Sequence, residues 1–304
     1  MVIGHRITKR FQEKTILDDV SFRIVPGQIT AIIGLNGSGK TTLLKMIAGI
    51  LRADEGYLRV NGTEPSQLKR EAGIRIAFLS KQSSNLSGYN RVKDAITGCR
   101  KAYHVSNDYF EYLWSHAGSM LNMETLWEKE CKTLSLGDRM KVEFFYTCLM
   151  RPTLWIMDEP TLGIDYETRL RMYEILQDVK SGYREMTVLI ATHNIQEMEI
   201  LCDRVLVLHE GKMIFSGPVE YLKQKYQTLG VLSCNVKQGT IAFQDVPIKW
   251  YQVDGSKIKL LFDKHYVNAV TILKCILETA KVEDISIDDM DMESMIKNIF
   301  RKER

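Results

Sequence analysis

The stretch Gly34-Leu35-Asn36-Gly37-Ser38-Gly39-Lys40-Thr41 constrains this chain more than any other. Three glycines in six residues end in a lysine and a hydroxyl residue. Glycine permits backbone angles that side chains forbid, so the loop can turn its N–H groups inward around an anion. Gln28 to Ile33 is a short apolar, β-branched run that reads as a buried strand. Thr42 to Ala48 reads as a helix that starts near Lys40, with the positive end of its dipole at the loop. Strand, glycine loop and helix together form a cradle for a nucleoside triphosphate. The candidate phosphate contacts are Gly34, Asn36, Gly37, Ser38, Gly39, Lys40, Thr41 and Thr42. Lys40 would reach the β- and γ-phosphates, and the Thr41 hydroxyl would hold Mg²⁺. The competing reading is a chance glycine-rich turn, which the flanking strand and helix argue against.

A chain of 304 residues can bury a sizeable core in one large or two modest domains. The formal net charge of +3 gives no sign of a nucleic-acid binder. Its six cysteines are far apart and include no C-x-x-C pair, which argues against a zinc site or a disulfide framework and fits a reducing cytosol. The start lacks the apolar core of a signal peptide, and no apolar run reaches the roughly 18 residues that span a bilayer. Any membrane crossing is therefore expected from another chain.

In chain order, residues 1–33 read as strands and turns. Glu55 to Val60 reads as a strand running into Asn61-Gly62, and Ile74 to Leu79 as another. From about Val92 to Leu149 there is no proline and little β-like pattern, so a mainly helical insertion is expected over about 83–150. Leu154-Trp155-Ile156-Met157 then carries the acid pair Asp158-Glu159. Such a pair often marks only a helix start. Downstream of a phosphate loop it fits a buried parallel strand with acids at its C-terminal end. Asp158 would hold Mg²⁺ through water, and Glu159 would orient or deprotonate the attacking water. Tyr166 to Lys180 reads as an amphipathic helix, and Val188 to Thr192 as a buried strand delivering His193. Val205 to Leu208 and Lys212 to Phe215 flank Glu210-Gly211 as a hairpin. Beyond about residue 229 a strand around Ile258–Phe262 and helical spacing from Tyr266 to Thr279 suggest an accessory domain. The acidic run Glu283–Glu293 reads as solvated surface, and Met295–Phe300 as a short closing helix.

These residues together resemble the ATPase subunit of an ABC transporter, over about residues 1–225 and in the family's order. The resemblance implies a P-loop NTPase α/β core with an N-terminal antiparallel β subdomain and a helical insertion, over 1–228. A small α+β accessory domain follows over 229–304. It implies ATP and Mg²⁺ as cofactors. Gln82 takes the place of the family's Q-loop glutamine, which contacts metal and water. Leu162-Gly163-Ile164-Asp165 resembles the D-loop, and His193 the histidine that contacts the γ-phosphate. Phe11 takes the place of the aromatic that stacks on adenine. The implied catalytic set is Glu159, His193, Gln82 and Lys40, with metal at Thr41, Gln82 and Asp158. The family's signature reads L-S-G-G-Q, whereas this chain reads Leu134-Ser135-Leu136-Gly137-Asp138. Ser135 and Gly137, the main phosphate contacts of that motif, remain. Ser135-x-x-Asp138 also has capping-box spacing, which gives Asp138 a structural role as a cap.

The resemblance further implies two copies, or a second ATPase subunit, closing around ATP. It implies a multi-span transmembrane permease as partner and a peripheral place on the cytoplasmic face of the membrane. The ending from Ile285 to Phe300 resembles exporter ATPases more than importer ATPases. The alternative is a soluble ABC-type ATPase acting on ribosomes or DNA. Those types carry two cassettes, long coiled coils or zinc modules, and this chain has one P-loop, no heptad arm and no cysteine pair.

Overall fold

The protein was analysed as a computed structural model, which describes residues 1–70, 74–80, 85–183, 185–239, 246–290 and 294–296. The chain divides into two compact units, Met1–Gly217 and Pro218–Arg304. The sequence reading placed the junction later, after residue 228. The division falls earlier because the helix Val219–Gln227 groups with the second unit.

The first unit opens with a three-stranded antiparallel sheet. Strand β1 (Val2–Phe11) lies between β2 (Lys14–Ile24) and β4 (Glu55–Val60). The chain between β2 and β4 contributes the central strand β3 (Ile29–Ile33) and helix α1 (Lys40–Ile47). Strands β5 (Ile76–Ser80), β6 (Leu154–Asp158), β7 (Thr187–Thr192), β8 (Arg204–His209) and β9 (Lys212–Pro218) complete a six-stranded sheet in the order β5-β6-β7-β3-β8-β9. The ladders from β5 to β8 are all parallel. Every residue of β3, β6 and β7 is buried, as expected for a parallel sheet covered on both faces. The apolar runs that marked these strands in the sequence therefore carry no alternation.

The expected helical insertion contains α2 (Val92–Ala102), α3 (Asn107–Leu113), α4 (Met123–Leu126) and α5 (Leu136–Leu149). Helix α2 buries Val92, Ala95, Ile96 and Cys99, one face at helical spacing. Helix α5 is buried along most of its length, and Phe144 packs on Trp155 of β6 with ring centroids 5.1 Å apart. This contact ties the insertion to the strand that carries Asp158. Helix α6 (Tyr166–Gly182) follows β6, and the short α7 (Ile195–Leu201) follows β7. The main core joins Ile7, Leu17 and Ile24 of the small sheet to Leu43 and Leu44 of α1 and to Ile156 and Leu189 of the large one.

The second unit begins with α8 (Val219–Gln227) and contains a four-stranded antiparallel sheet in the order β11-β12-β10-β13. Its strands are β10 (Leu229–Gly239), β11 (Ile248–Asp254), β12 (Lys257–Asp263) and β13 (Ala280–Asp289). Helix α9 (Ala269–Thr279) packs Ile272 and Ile276 on Leu232, Leu260 and Phe262. The acidic run was read only as solvated surface. Its first part is exposed, but it also belongs to an edge strand that pairs antiparallel with β10, and there Glu283 and Asp284 find Lys237 and Asn235. Of the expected closing helix, residues 294–296 are helical, and 297–300 lie outside the described residues. Among the described residues, no helix is long and apolar enough to cross a membrane.

Leu189 is fully buried at the centre of β7. Leu189→Ala should lower the unfolding free energy by about 2–5 kcal/mol, through lost burial and the cavity left behind. Urea titration followed by circular dichroism measures this.

Candidate nucleotide-binding and hydrolytic site

Three neighbouring parallel strands end on one edge of the large sheet. Ile33, the last residue of β3, lies opposite Thr192, the last of β7, and Asp158, the last of β6, lies opposite Ala191. The residues just beyond these strands are the P-loop, Glu159 and His193. The carboxyl edge of an α/β sheet is where ligands bind.

The P-loop geometry depends on its glycines at two positions. A Cβ on Gly34 would lie 2.2 Å from the Leu208 carbonyl and 2.4 Å from Ser38 Oγ. Gly39 has φ +104°, and a Cβ there would lie 2.6 Å from Leu17. Gly39 is also the N-cap of α1, so no side chain competes for the amides of the first turn. Ser38 is buried, and among the described residues its hydroxyl lacks a hydrogen-bond partner, which leaves a polar atom for a ligand in the cradle. Leu35, Asn36 and Gly37 form the exposed crest, and Thr42 is half-buried in the first turn of α1.

Lys40 is buried and donates through Nζ to the Gly34 carbonyl at 2.7 Å and the Leu35 carbonyl at 3.2 Å. Its ammonium therefore sits inside the loop. Burial pushes it below the ordinary lysine pKa, opposed by the carboxylates of Glu159 and Asp158. Thr41 donates its hydroxyl to Asp158 at 2.8 Å. Asp158 is itself buried. A hydroxyl and a carboxylate brought together beside a phosphate cradle suit Mg²⁺, which takes hard oxygen donors and shares them with phosphates. Among the described residues no cluster of three or more acidic, histidine or cysteine side chains forms an all-protein metal site. Phosphate oxygens would have to complete the set.

Glu159 follows Asp158 with φ +53°, a left-handed conformation that costs a non-glycine residue on the order of 1–3 kcal/mol. Its amide donates to the Ala191 carbonyl at 2.9 Å, which pins the residue to β7. Its two carboxylate oxygens lie 2.9 and 2.8 Å from His193 Nδ1. The His193 side chain is 61% exposed and that of Glu159 16%, so this pair stands at the open side of the site.

Phe11 ends β1 and is 44% exposed. Lys9 Nζ lies 5.4 Å from its ring centroid, on one face of the ring. Gln82 lies outside the described residues. Asp165 is the N-cap of α6 and accepts from the Thr168 amide at 2.9 Å, which holds its carboxyl below the usual range.

The signature residues stand apart from the P-loop. Ser135 is the N-cap of α5 and accepts from the Asp138 amide at 3.1 Å. The expected capping role of Asp138 is therefore corrected. Its amide takes part, but its carboxylate lies against Lys129 at 3.4 Å and Lys141 at 3.8 Å. Two lysines within reach offset its charge. Leu136 packs on Gly163, where a Cβ would come within 3.1 Å of it, and a Cβ on Gly137 would meet the Gly163 carbonyl at 2.9 Å. Among the described residues, no hydrogen bond or ion pair joins Ser135, Gly137 or Asp138 to the P-loop.

Sequence reasoning missed Glu197. Its spacing after Asn194 is that of a capping box, and Asn194 does accept from the Glu197 amide at 3.2 Å. The Glu197 carboxyl turns inward instead, towards Thr161.

Gly34→Ala should weaken nucleotide binding at least tenfold, about 1.4 kcal/mol, because the loop cannot admit a methyl group without moving off Leu208. Titration with a fluorescent ATP analogue reads this directly.

The ABC transporter family pattern matches residues 17–162. An uncharacterised ABC transporter ATP-binding protein of Methanocaldococcus jannaschii is 31% identical over 223 residues, 72% of this chain and 78% of the relative. The Nod factor export ATP-binding protein I of Paraburkholderia xenovorans is 30% identical over 212 residues, 70% of this chain and 69% of that protein. A solved dimeric post-hydrolysis state of an ATP-binding cassette, bound to ADP and phosphate, aligns with a TM-score of 0.62 at 21% identity. It covers 72% of this chain and 99% of that one, and the likeness is one of fold. Strand order, phosphate loop and relatives agree that the chain belongs to the ATP-binding proteins of ABC transporters and is an ATPase of that family.

Proposed function

We propose that the chain is the engine of an exporter. It would close as a dimer around Mg-ATP and drive separate transmembrane subunits from the cytoplasmic face of the membrane. The observation that carries the hydrolytic part of this reading is the approach of His193 Nδ1 to both oxygens of Glu159, the residue that follows Asp158. Lys40 already holds its ammonium inside that loop. With nucleotide present its donors would turn from the Gly34 and Leu35 carbonyls to β- and γ-phosphate oxygens, replacing weak acceptors by charged ones. Thr41 and Asp158, with Gln82 carried over from the family resemblance, would hold Mg²⁺, which would neutralise developing charge on the phosphates.

Glu159 is the base in this reading, accepting the proton of the attacking water. Its strained backbone and the bond from its amide to Ala191 fix where that carboxylate points. His193 steadies it. An imidazole that donates Nδ1–H to Glu159 can also donate Nε2–H to a phosphate only when it carries both protons. Phe11 would offer the ring face not covered by Lys9 to adenine.

The need for a second ATPase subunit is supported by the place of the signature residues. Ser135 and Gly137 open a 14-residue helix and make no bond to their own P-loop among the described residues. The dipole end of α5 is thus available to phosphates held by a partner. In a closed dimer each ATP touches both subunits and so favours closure. The solved neighbour at 21% identity is itself dimeric. Export is supported by the relative named for Nod factor export.

Glu159→Gln should bind ATP, stop hydrolysing it and accumulate as a dimer, because the amide keeps shape but cannot take a proton. Lys40→Ala should bind nucleotide weakly and remain monomeric under the same conditions. Size-exclusion chromatography with Mg-ATP, paired with phosphate release, separates the two. Wild-type turnover in Glu159→Gln would overturn the assignment of the base.

Affinity capture from detergent-solubilised membranes should recover a multi-span protein with this chain. Recovery with ribosomes or DNA alone would overturn the transport reading.

A further inference from the structure

Glu197 is a carboxyl group with 1% exposure, in α7, four residues after His193. The mechanism above does not use it. Burying a carboxyl is costly, and an apolar side chain of similar size would fill the space without that cost. The surroundings show what the carboxyl does that a leucine could not. Thr161, two residues after Glu159, donates its hydroxyl to Glu197 Oε1 at 3.3 Å. The hydroxyls of Thr192, which ends β7 immediately before His193, and of Tyr173 on α6 adjoin the same carboxyl. The Asn194 side chain accepts from the Glu197 amide and so fixes the start of α7.

We propose that Glu197 is a positioning residue for hydrolysis. One carboxyl group ties the chain leaving Glu159, through Thr161, to the strand end and helix that flank His193. It thereby sets the spacing of the Glu159–His193 pair. The inference rests on the reading of Glu159 and His193 as the hydrolytic pair, and it adds the element that holds them together. Each member of that pair is on a short turn after a different strand. The sheet fixes where the strands end, and the amide of Glu159 is pinned to Ala191. Beyond those points the two turns need a link of their own, and Glu197 is a polar side chain buried between them.

The electrostatics agree with this role. Burial pushes the Glu197 carboxyl above the usual range, and the negative charge of Glu159 pushes in the same direction, against the three hydroxyls.

The test compares purified full-length Glu197→Ala, Glu197→Gln and Thr161→Val with the wild type. The readouts are kcat and KM for Mg-ATP and the thermal unfolding midpoint. Glu197→Ala is expected to lower kcat at least tenfold with KM changed less than about threefold. Glu197→Gln, whose amide can accept from Thr161 and donate in turn, should restore most of that rate. Thr161→Val removes one partner hydroxyl while keeping its shape, and should lower kcat in the same sense even if Glu197→Ala does not fold. Wild-type kcat in Thr161→Val and Glu197→Ala overturns the inference. So does an equal fall in Glu197→Gln and Glu197→Ala with KM rising in both, which is what a general packing role would give. Glu159→Gln run in parallel separates the two levels. If it hydrolyses ATP normally, the hydrolytic pair itself is wrong. If it is inactive while Glu197→Ala is normal, only the positioning role is lost.

Discussion

The parallel register of β6, β7 and β3 is the constraint on which the rest depends. Ile33 beside Thr192 and Asp158 beside Ala191 bring three loops out at one edge of the sheet. Adjacent strands lie about 4.8 Å apart, so β3 and β6, with β7 between them, are separated by about 10 Å. That distance lets Lys40 and Thr41 from one loop meet Asp158 from another. A slip of one residue in β6 would turn Asp158 to the opposite face of the sheet. The bond from Thr41 to Asp158 and the contact of His193 with Glu159 are both consequences of this register. Every residue of the three strands is buried, so the sheet is packed on both faces up to the edge where the site lies.

Much of this was legible in the sequence, and the reason is local. The P-loop is a contiguous run whose glycines, lysine and threonine have separate chemical reasons to be there. Asp158, Glu159 and His193 each follow a short apolar run that, downstream of a phosphate loop, reads as a buried strand. What was not legible depends on contacts between distant segments. Asp138 read as a cap because Ser135-x-x-Asp138 has the spacing, but nothing in that spacing reveals Lys129 and Lys141. Glu197 has the same spacing after Asn194, and only the folded chain shows its carboxyl turned to Thr161. In the second unit, β13 was hidden by its charge. An edge strand exposed on both sides lacks the apolar alternation that identifies a strand, and its pairing with β10 is long-range.

The two departures from the family's signature have physical accounts in the folded chain. Leu136 stands where the family has glycine, and it packs against Gly163 in the loop that follows Glu159. Asp138 stands where the family has glutamine, and its charge is offset by two lysines. The signature helix is thereby joined to the 161–165 loop through Leu136 and to β6 through Phe144 and Trp155. Glu197 reaches that same loop at Thr161. The loop is thus held between the helix that would meet a partner's ATP and the helix that follows His193.

A structure of Glu159→Gln with bound Mg-ATP tests the central claim most directly. The account predicts that the Lys40 ammonium leaves the Gly34 and Leu35 carbonyls for the β- and γ-phosphates. It predicts the metal between Thr41 and Asp158, and the substituted side chain and His193 at the γ-phosphate. Nucleotide bound elsewhere, with Lys40 still on the two carbonyls, would contradict it.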